Sequence, residues 1–220
     1  MRAHGFSYWD KMAGNKEFTS PFPTEIFLRL VPKMSRILDY GCGYGRIMEL
    51  LWGLGYRNIV GVDPARELVA HGRKIYPYLD IRHNASPADE FRGHEFDVVM
   101  LIGVLTCVPD SRDQERVLLN VDTLLASGGL ILLVDFLLNS DERNLKRYSR
   151  FERRYGERGV FEIDNGLVLR HHSVEHIRRL LGGFDLLHEE QGVFTTMNGN
   201  SSNGITVFGR KKAFTRPLGF

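Results

Sequence analysis

Three glycines at alternate positions, Gly41, Gly43 and Gly45, follow an apolar run that ends in Asp39, in the stretch ILDYGCGYGR from Ile37 to Arg46. Glycine inside a regular element costs roughly 0.5–1 kcal/mol relative to alanine, so three in five residues answer a local need, either positive φ in a tight turn or close approach of another molecule. A second apolar run, Ile59-Val60-Gly61-Val62, ends in Asp63, 18 residues beyond Gly45. An acid at that strand end can accept hydrogen bonds from both hydroxyls of a ribose, and an ionised acceptor bonds more strongly than a neutral one. Glycine loop and acidic strand end together indicate an adenosine-type ligand. The competing role for Asp63 is a helix N-cap, with Pro64 at the first helical position. Asp39 has two roles open to it, bracing the loop or reaching a ligand amino group, directly or through water. His171 and His172 precede a helix that Ser173 can cap and are candidates for a general base; solvated histidines at a helix entry are the competing reading. Cys42 and Cys107 both fall in loops after strands, where they could face a cleft, yet two thiols without further ligands make no zinc site and no metal is expected.

The elements that must position these residues are visible as pattern. Apolar runs of strand length recur at Ser35–Leu38, Ile59–Val62, Ile81–His83, Phe96–Leu101 and Leu130–Val134, and they do not alternate with polar residues. Such runs are buried on both faces, the habit of parallel sheets covered by helices. Helical spacing fills the gaps at Arg46–Leu54, Arg66–Ile75 and Arg112–Leu125, the last followed by Gly128-Gly129. Strand and helix in alternation predict a doubly wound α/β sheet. The glycine loop then joins the first strand to the first helix at the carboxyl edge, where such sheets bind ligands.

A dinucleotide site would show G-x-G-x-x-G; here the spacing is G-x-G-x-G. With Asp39 two residues ahead, the loop resembles the first motif of the class I S-adenosylmethionine-dependent methyltransferases. The likeness continues through RHNASPADEF, FDVVMLIGVLTCVPD and LLASGGLILLVD, strongly over residues 35–135 and weakly to Lys211. It implies a Rossmann-like fold with a mostly parallel seven-stranded sheet and an antiparallel C-terminal strand pair. GFDLLHEEQGVFTT and NGITVFGRKK, joined across Asn198–Gly204, are similar to that pair. It implies S-adenosyl-L-methionine as cofactor, with Asp39, Gly41, Cys42, Gly43, Gly45, Asp63, Pro64, Ile102 and Gly103 around it and Asn84, Ala85 and Ser86 along the adenine. Asn84 stands where an acid is common in the family, so an amide would serve there. The family places acceptor recognition after the fifth strand. On that basis residues 35–211 form the methyltransferase domain with 136–170 as an acceptor-side insertion, residues 1–34 a helical or lid segment carrying Tyr8 and Trp9, and 212–220 a tail.

Methyl transfer asks little covalent chemistry of a protein, because holding an acceptor in line with an activated methyl group supplies roughly 7–11 kcal/mol by orientation. A base is needed only for a protonated acceptor. The insertion interleaves Arg143, Lys146, Arg147, Arg150, Arg153, Arg154 and Arg158 with Tyr148, Phe151 and Tyr155, which reads either as a solvated helix packing its aromatics inward or as a site for an acidic acceptor. A small-molecule acceptor of a methyl group on O, N or S is the expectation. A nicotinamide-dependent oxidoreductase and a cofactor-binding protein that transfers no methyl group are the alternatives.

Composition narrows the rest. A formal charge of +2, from 29 basic and 27 acidic residues, gives no ground for a nucleic-acid partner. The longest apolar stretches fall short of the roughly 18 residues that span a bilayer, so no membrane partner is expected. Two cysteines and a start without the apolar core of a signal peptide fit a reducing cytoplasm. Monomer and homodimer both fit.

Overall fold

The apolar runs become the centre of one sheet in the computed structural model, which describes residues 8–11, 13–14, 17–91, 93–163 and 166–212. In chain order the elements are α1 (Thr24–Leu30), β1 (Ile37–Tyr40), α2 (Arg46–Gly53), β2 (Ile59–Asp63), α3 (Arg66–Ile75), β3 (Asp80–His83), α4 (Pro87–Glu90), β4 (Phe96–Ile102), α5 (Ser111–Leu124), β5 (Leu125–Phe136), α6 (Glu142–Tyr155), β6 (Val160–Glu162), β7 (Val168–Arg170), α7 (Val174–Leu180), β8 (Phe184–Thr195) and β9 (Ser201–Lys211). A short 3₁₀ turn, Leu105–Cys107, follows β4. The sheet order is β3-β2-β1-β4-β5-β9-β8. Strands β1 to β5 pair in parallel, and β9 runs antiparallel to both β5 and β8. Strand order reverses between β1 and β4, which opens a crevice at the carboxyl edge of the sheet.

Burial on both faces explains the unbroken apolar runs. Successive residues of β4 go to opposite cores, Val99 and Leu101 to one cluster and Val98 and Met100 to the other; Ile131 and Leu133 of β5 divide from Leu130 and Leu132 in the same way. Helices end where their chemistry says they should. Asp110 caps α5 by accepting from the backbone N–H of Arg112 and Asp113, Asp141 caps α6 by accepting from Asn144, and Ser173 caps α7 by accepting from His176. Gly156 closes α6 in the left-handed conformation at φ 68°.

Several boundaries differ from the sequence reading. β1 extends through Asp39 and Tyr40, so Asp39 belongs to the strand and is only 2% exposed. β5 begins at Leu125, pairing it with Phe96, and then bulges so that Leu130 meets Val98; Gly128-Gly129 lie in that bulge, inside the element they were expected to precede. The connection expected over Asn198–Gly204 is shorter, because Ser201–Gly204 already pair as part of β9. The β6–β7 hairpin is a separate two-stranded sheet that the sequence reading left unassigned. Of the N-terminal segment, residues 8–11 are helical, while 1–7 lie outside the described residues, as do 213–220 of the expected tail. Among the described residues, no helix is long and apolar enough to cross a membrane.

Candidate active site

One cavity of about 830 Å³ lies along the carboxyl edge of the sheet, from the ends of β1 and β2 to the end of β5 and the β6–β7 hairpin. Its first half is built from the glycine loop. Gly41, Gly43 and Gly45 have φ of 82°, 57° and 89°, the left-handed region that a side chain enters only at a cost. The tight turn is therefore real, and it sets the backbone of Gly41–Gly43 against the cavity. Gly45 does not line it: this residue caps α2, and a Cβ there would stand 2.7 Å from Ile81 Cδ1. At this position the glycine serves close packing against Ile81. A Cβ on Gly43 would stand 2.3 Å from Phe18 Cε2, because residues 18–20 cross above the loop. Phe18 stacks on Tyr44 with centroids 5.1 Å apart, and Arg46 Nη2 donates to the Ser20 carbonyl at 2.5 Å.

Asp63 reaches back to this loop. One carboxylate oxygen accepts from Gly43 N–H at 2.8 Å and the other from Ala65 N–H at 2.8 Å. The N-cap reading is corrected: the N-cap of α3 is Ala65, without a side-chain cap, and Pro64 lies ahead of the helix; Asp63 braces the approach, each of its oxygens keeps a lone pair, and the residue lines the cavity. Burial raises its pKa to about 6, against the pull of its two backbone donors. Asp39 is different. Its Oδ2 is buried with no hydrogen-bond partner among the described residues, and burial, followed by the charge of Asp63, raises its pKa to about 7. A buried carboxylate oxygen without a donor is rare, and on a cavity wall it points to a ligand donor that completes it. Pro64, Cys42, Ile102 and Gly103 line the same half, as do Tyr8 and Trp9 of the N-terminal segment.

Asn84, Ala85 and Ser86 are not among the lining residues. Asn84 Oδ1 accepts from Ser86 N–H at 2.6 Å and its amide donates to Glu90, so the side chain is spent on the entry to α4. Cys42 and Cys107 do line the cavity, and burial raises both thiols above their ordinary range, which leaves them weak nucleophiles.

The second half holds Phe136, Arg143, Arg147, Phe161, Leu169 and His171. The two candidate histidines separate here, because adjacent residues in extended backbone point to opposite sides. His171 faces the cavity. His172 bridges to Leu137 through its backbone and turns its ring away, 1% exposed, to a second cavity of about 420 Å³. There it stacks on His176 with centroids 5.6 Å apart and lies 3.6 Å from Asp135. Burial and Arg170 hold its pKa well below the ordinary value. His172 is thus removed from the candidates that can touch a ligand in the main cavity.

His171 is 5% exposed and stacks on Phe136. Its Nδ1 lies 2.6 Å from Tyr148 Oη and 3.1 Å from Asn139 Nδ2. Arg147 Nη2, which can only donate, lies 3.5 Å from Nε2, so Nε2 is the acceptor and the ring proton is assigned to Nδ1, which donates to Tyr148 Oη, while the two hydrogens of Asn139 Nδ2 go to the Leu137 carbonyl and Ser202 Oγ. Burial and the Arg147 and Arg143 guanidinium groups press its pKa down to about 3. A ring so placed gives its lone pair to Arg147, and with its pKa pressed so low it is a poor base.

Some groups of the site carried no sequence signal. Asp135 appeared only as a polar interruption of an apolar run, yet it accepts from the backbone of Leu105, Thr106 and Phe136 and so fixes the loop after β4 to the end of β5. Thr106 extends the tie through its hydroxyl to the Arg170 carbonyl at 2.8 Å. Among the described residues no group of three or more His, Cys, Asp or Glu is placed to hold a metal ion.

A family model described as "Methyltransferase domain" matches residues 12–188. Among curated proteins, the ubiquinone biosynthesis O-methyltransferase of Ruegeria sp. is 33% identical over 118 residues, 52% of this chain and 44% of that protein. The eEF1A lysine and N-terminal methyltransferase of Homo sapiens is 27% identical over 138 residues, 58% of this chain and 20% of that protein. The matches span less than half the length of either relative. Among solved structures, a SAM-dependent methyltransferase of Methanosarcina mazei superposes with a TM-score of 0.82 at 22% identity, covering 88% of this chain and 99% of that one, a likeness of fold.

Proposed function

Since the chain belongs to the class I S-adenosylmethionine-dependent methyltransferase family, we propose that its main cavity moves the methyl group to a small-molecule acceptor held at the β5 end. Membership in the family sets aside the nicotinamide reading, in keeping with a glycine loop that lacks the dinucleotide spacing.

The observation that carries the assignment of the cofactor half is the unpartnered Oδ2 of Asp39. An ammonium donor fits it, the free lone pairs of Asp63 fit vicinal hydroxyls, and the left-handed turn at Gly41–Gly43 leaves backbone where a side chain would intrude. In this reading Asp39 holds the amino group, Asp63 the ribose, and Pro64, Cys42, Ile102 and Gly103 supply wall. The bound cofactor supplies an activated methyl group on a sulfonium. This chain's own residues bind, orient and exclude water, with Phe18 and residues 19–20 above and Phe136 and Phe161 along the acceptor side. His171, its lone pair held by Arg147, takes no proton, so an acceptor of this enzyme meets the methyl group with its own lone pair already free.

Support for a small acceptor comes from the apolar and aromatic walls of the second half, which suit a compact molecule better than an extended chain. One relative is named for an O-methyl transfer in ubiquinone biosynthesis and another for protein methylation. The choice is tested by incubating the protein with methyl-labelled cofactor and a cell extract divided by ultrafiltration. Label in the filtrate supports the small-molecule reading; label confined to retained protein overturns it.

A further inference from the structure

The acceptor half of the cavity is out of charge balance. Its carboxylates have partners: Glu157 takes the Arg170 guanidinium and the Ser111 hydroxyl, Glu162 takes Arg154 and Tyr155, and Asp110 caps α5. Arg147 does not share in this pairing. No carboxylate lies within ion-pair distance of its guanidinium among the described residues, and its Nε is buried without a partner. Its Cζ sits 3.6 Å from the centroid of Phe161, which fixes the plane of the group, and Nη2 lies 3.5 Å from His171 Nε2. That contact is a hydrogen bond to a neutral ring, which brings the guanidinium no counter-charge. Arg143, on the same face of α6, adds a second cation held only by an exposed Asp141 at 3.9 Å.

Converging donors on a cavity wall, with every nearby acid already engaged, describe an anion site from which the anion is supplied by the ligand. Burial also lowers the pKa of Arg147, the sign of a guanidinium short of counter-charge. From this geometry we propose that the methyl acceptor is a carboxylate-bearing molecule whose carboxylate is bound by Arg147 with Arg143 beside it, its apolar body lying against Phe136 and Phe161. A guanidinium fork held flat by a ring presents two parallel N–H groups to a planar carboxylate, a match that a lysine ammonium lacks. The proposal rests on the methyl-transfer reading above and names the class of acceptor for it.

The experiment uses the full chain and a panel of aromatic and aliphatic carboxylates, benzoate and phenylacetate among them, each paired with its uncharged amide. Binding is followed by calorimetry with S-adenosylhomocysteine present and absent. The expected result is at least one pair in which the carboxylate binds tenfold or more tightly than the amide. Arg147→Gln should erase that preference and Arg147→Lys restore part of it, while affinity for S-adenosylhomocysteine stays within about twofold in both variants. A preference that survives Arg147→Gln, or equal binding or none across all pairs, overturns the proposal. Failure of the parent protein to bind S-adenosylhomocysteine would instead overturn the cofactor half on which the proposal rests, and the two failures are read from separate titrations.

Discussion

The two halves of the cavity are built on opposite plans. At the β1–β2 end Asp63 accepts from the backbone N–H groups of Gly43 and Ala65, while Asp39 keeps one oxygen without a partner. At the β5 end Arg147 meets the Phe161 ring and an imidazole that arrive from separate elements, with Arg143 beside it and Asn139, Tyr148 and His171 joined only in space. The first plan fixes a polar, cationic and hydroxyl-bearing ligand by backbone geometry. The second leaves a donor-rich face for whatever anion enters. One end of the site is thus specified by chain conformation, the other by side-chain charge, and they should fail in different ways.

The sharpest break of the first plan is Gly43→Val. A branched side chain at φ 57° is strained by roughly 1–2 kcal/mol, and its Cβ would stand 2.3 Å from the Phe18 ring. Calorimetry is expected to find no measurable affinity for S-adenosylhomocysteine in a protein whose far-UV circular dichroism is unchanged. Native affinity would show that the loop turns without touching a ligand.

Next in size is Asp63→Ala. The loss of an ionised acceptor for two hydroxyls suggests roughly 1.5–3 kcal/mol, about ten- to hundredfold in affinity. S-adenosylmethionine and S-adenosylhomocysteine should suffer alike, since they share the ribose. A selective loss of one would place Asp63 near the sulfur.

Asp39 sharpens the comparison through pH. With its pKa raised to about 7, the folded protein retains a proton that the unfolded chain has lost, so this group's contribution to stability falls as pH rises from the ordinary carboxylate range through about 7. An ammonium ligand prefers the ionised form, and binding therefore releases that proton. Affinity for S-adenosylhomocysteine should climb between about pH 5.5 and 8, by at most tenfold per unit. Asp39→Asn should flatten the profile; a slope that persists in the variant would assign the titration to another group.

The smallest effect belongs to the second half. Tyr148→Phe removes the acceptor of His171 Nδ1–H. A stability loss of about 1 kcal/mol is expected from thermal unfolding, with S-adenosylhomocysteine affinity unchanged. A large drop in cofactor binding would mean that the two halves are mechanically one.

What could be read from the sequence follows the same division. The loop, the acid at the end of β2 and the strand order are set by residues close together in the chain, where three left-handed turns and an unbroken apolar run each leave a mark. Gly45 and Asn84 stand off the cavity wall, where the same residue types that contact a ligand cap a helix and a turn. The second half left no such mark. Nothing in a string of letters puts Tyr148 beside His171 or tells His171 from His172, since the choice depends on which side of an extended segment faces the cavity. Of the seven basic residues between Arg143 and Arg158, only packing against Phe161 singles out Arg147.

Residues 18–20 lie across the glycine loop, with Phe18 stacked on Tyr44 and the Ser20 carbonyl bonded to Arg46. Lifting this strap costs one hydrogen bond and one ring contact, both on the wall of the cavity. An association rate that stops growing with ligand concentration would mark the strap as a gate, and a rate that grows without limit would leave it a fixed wall.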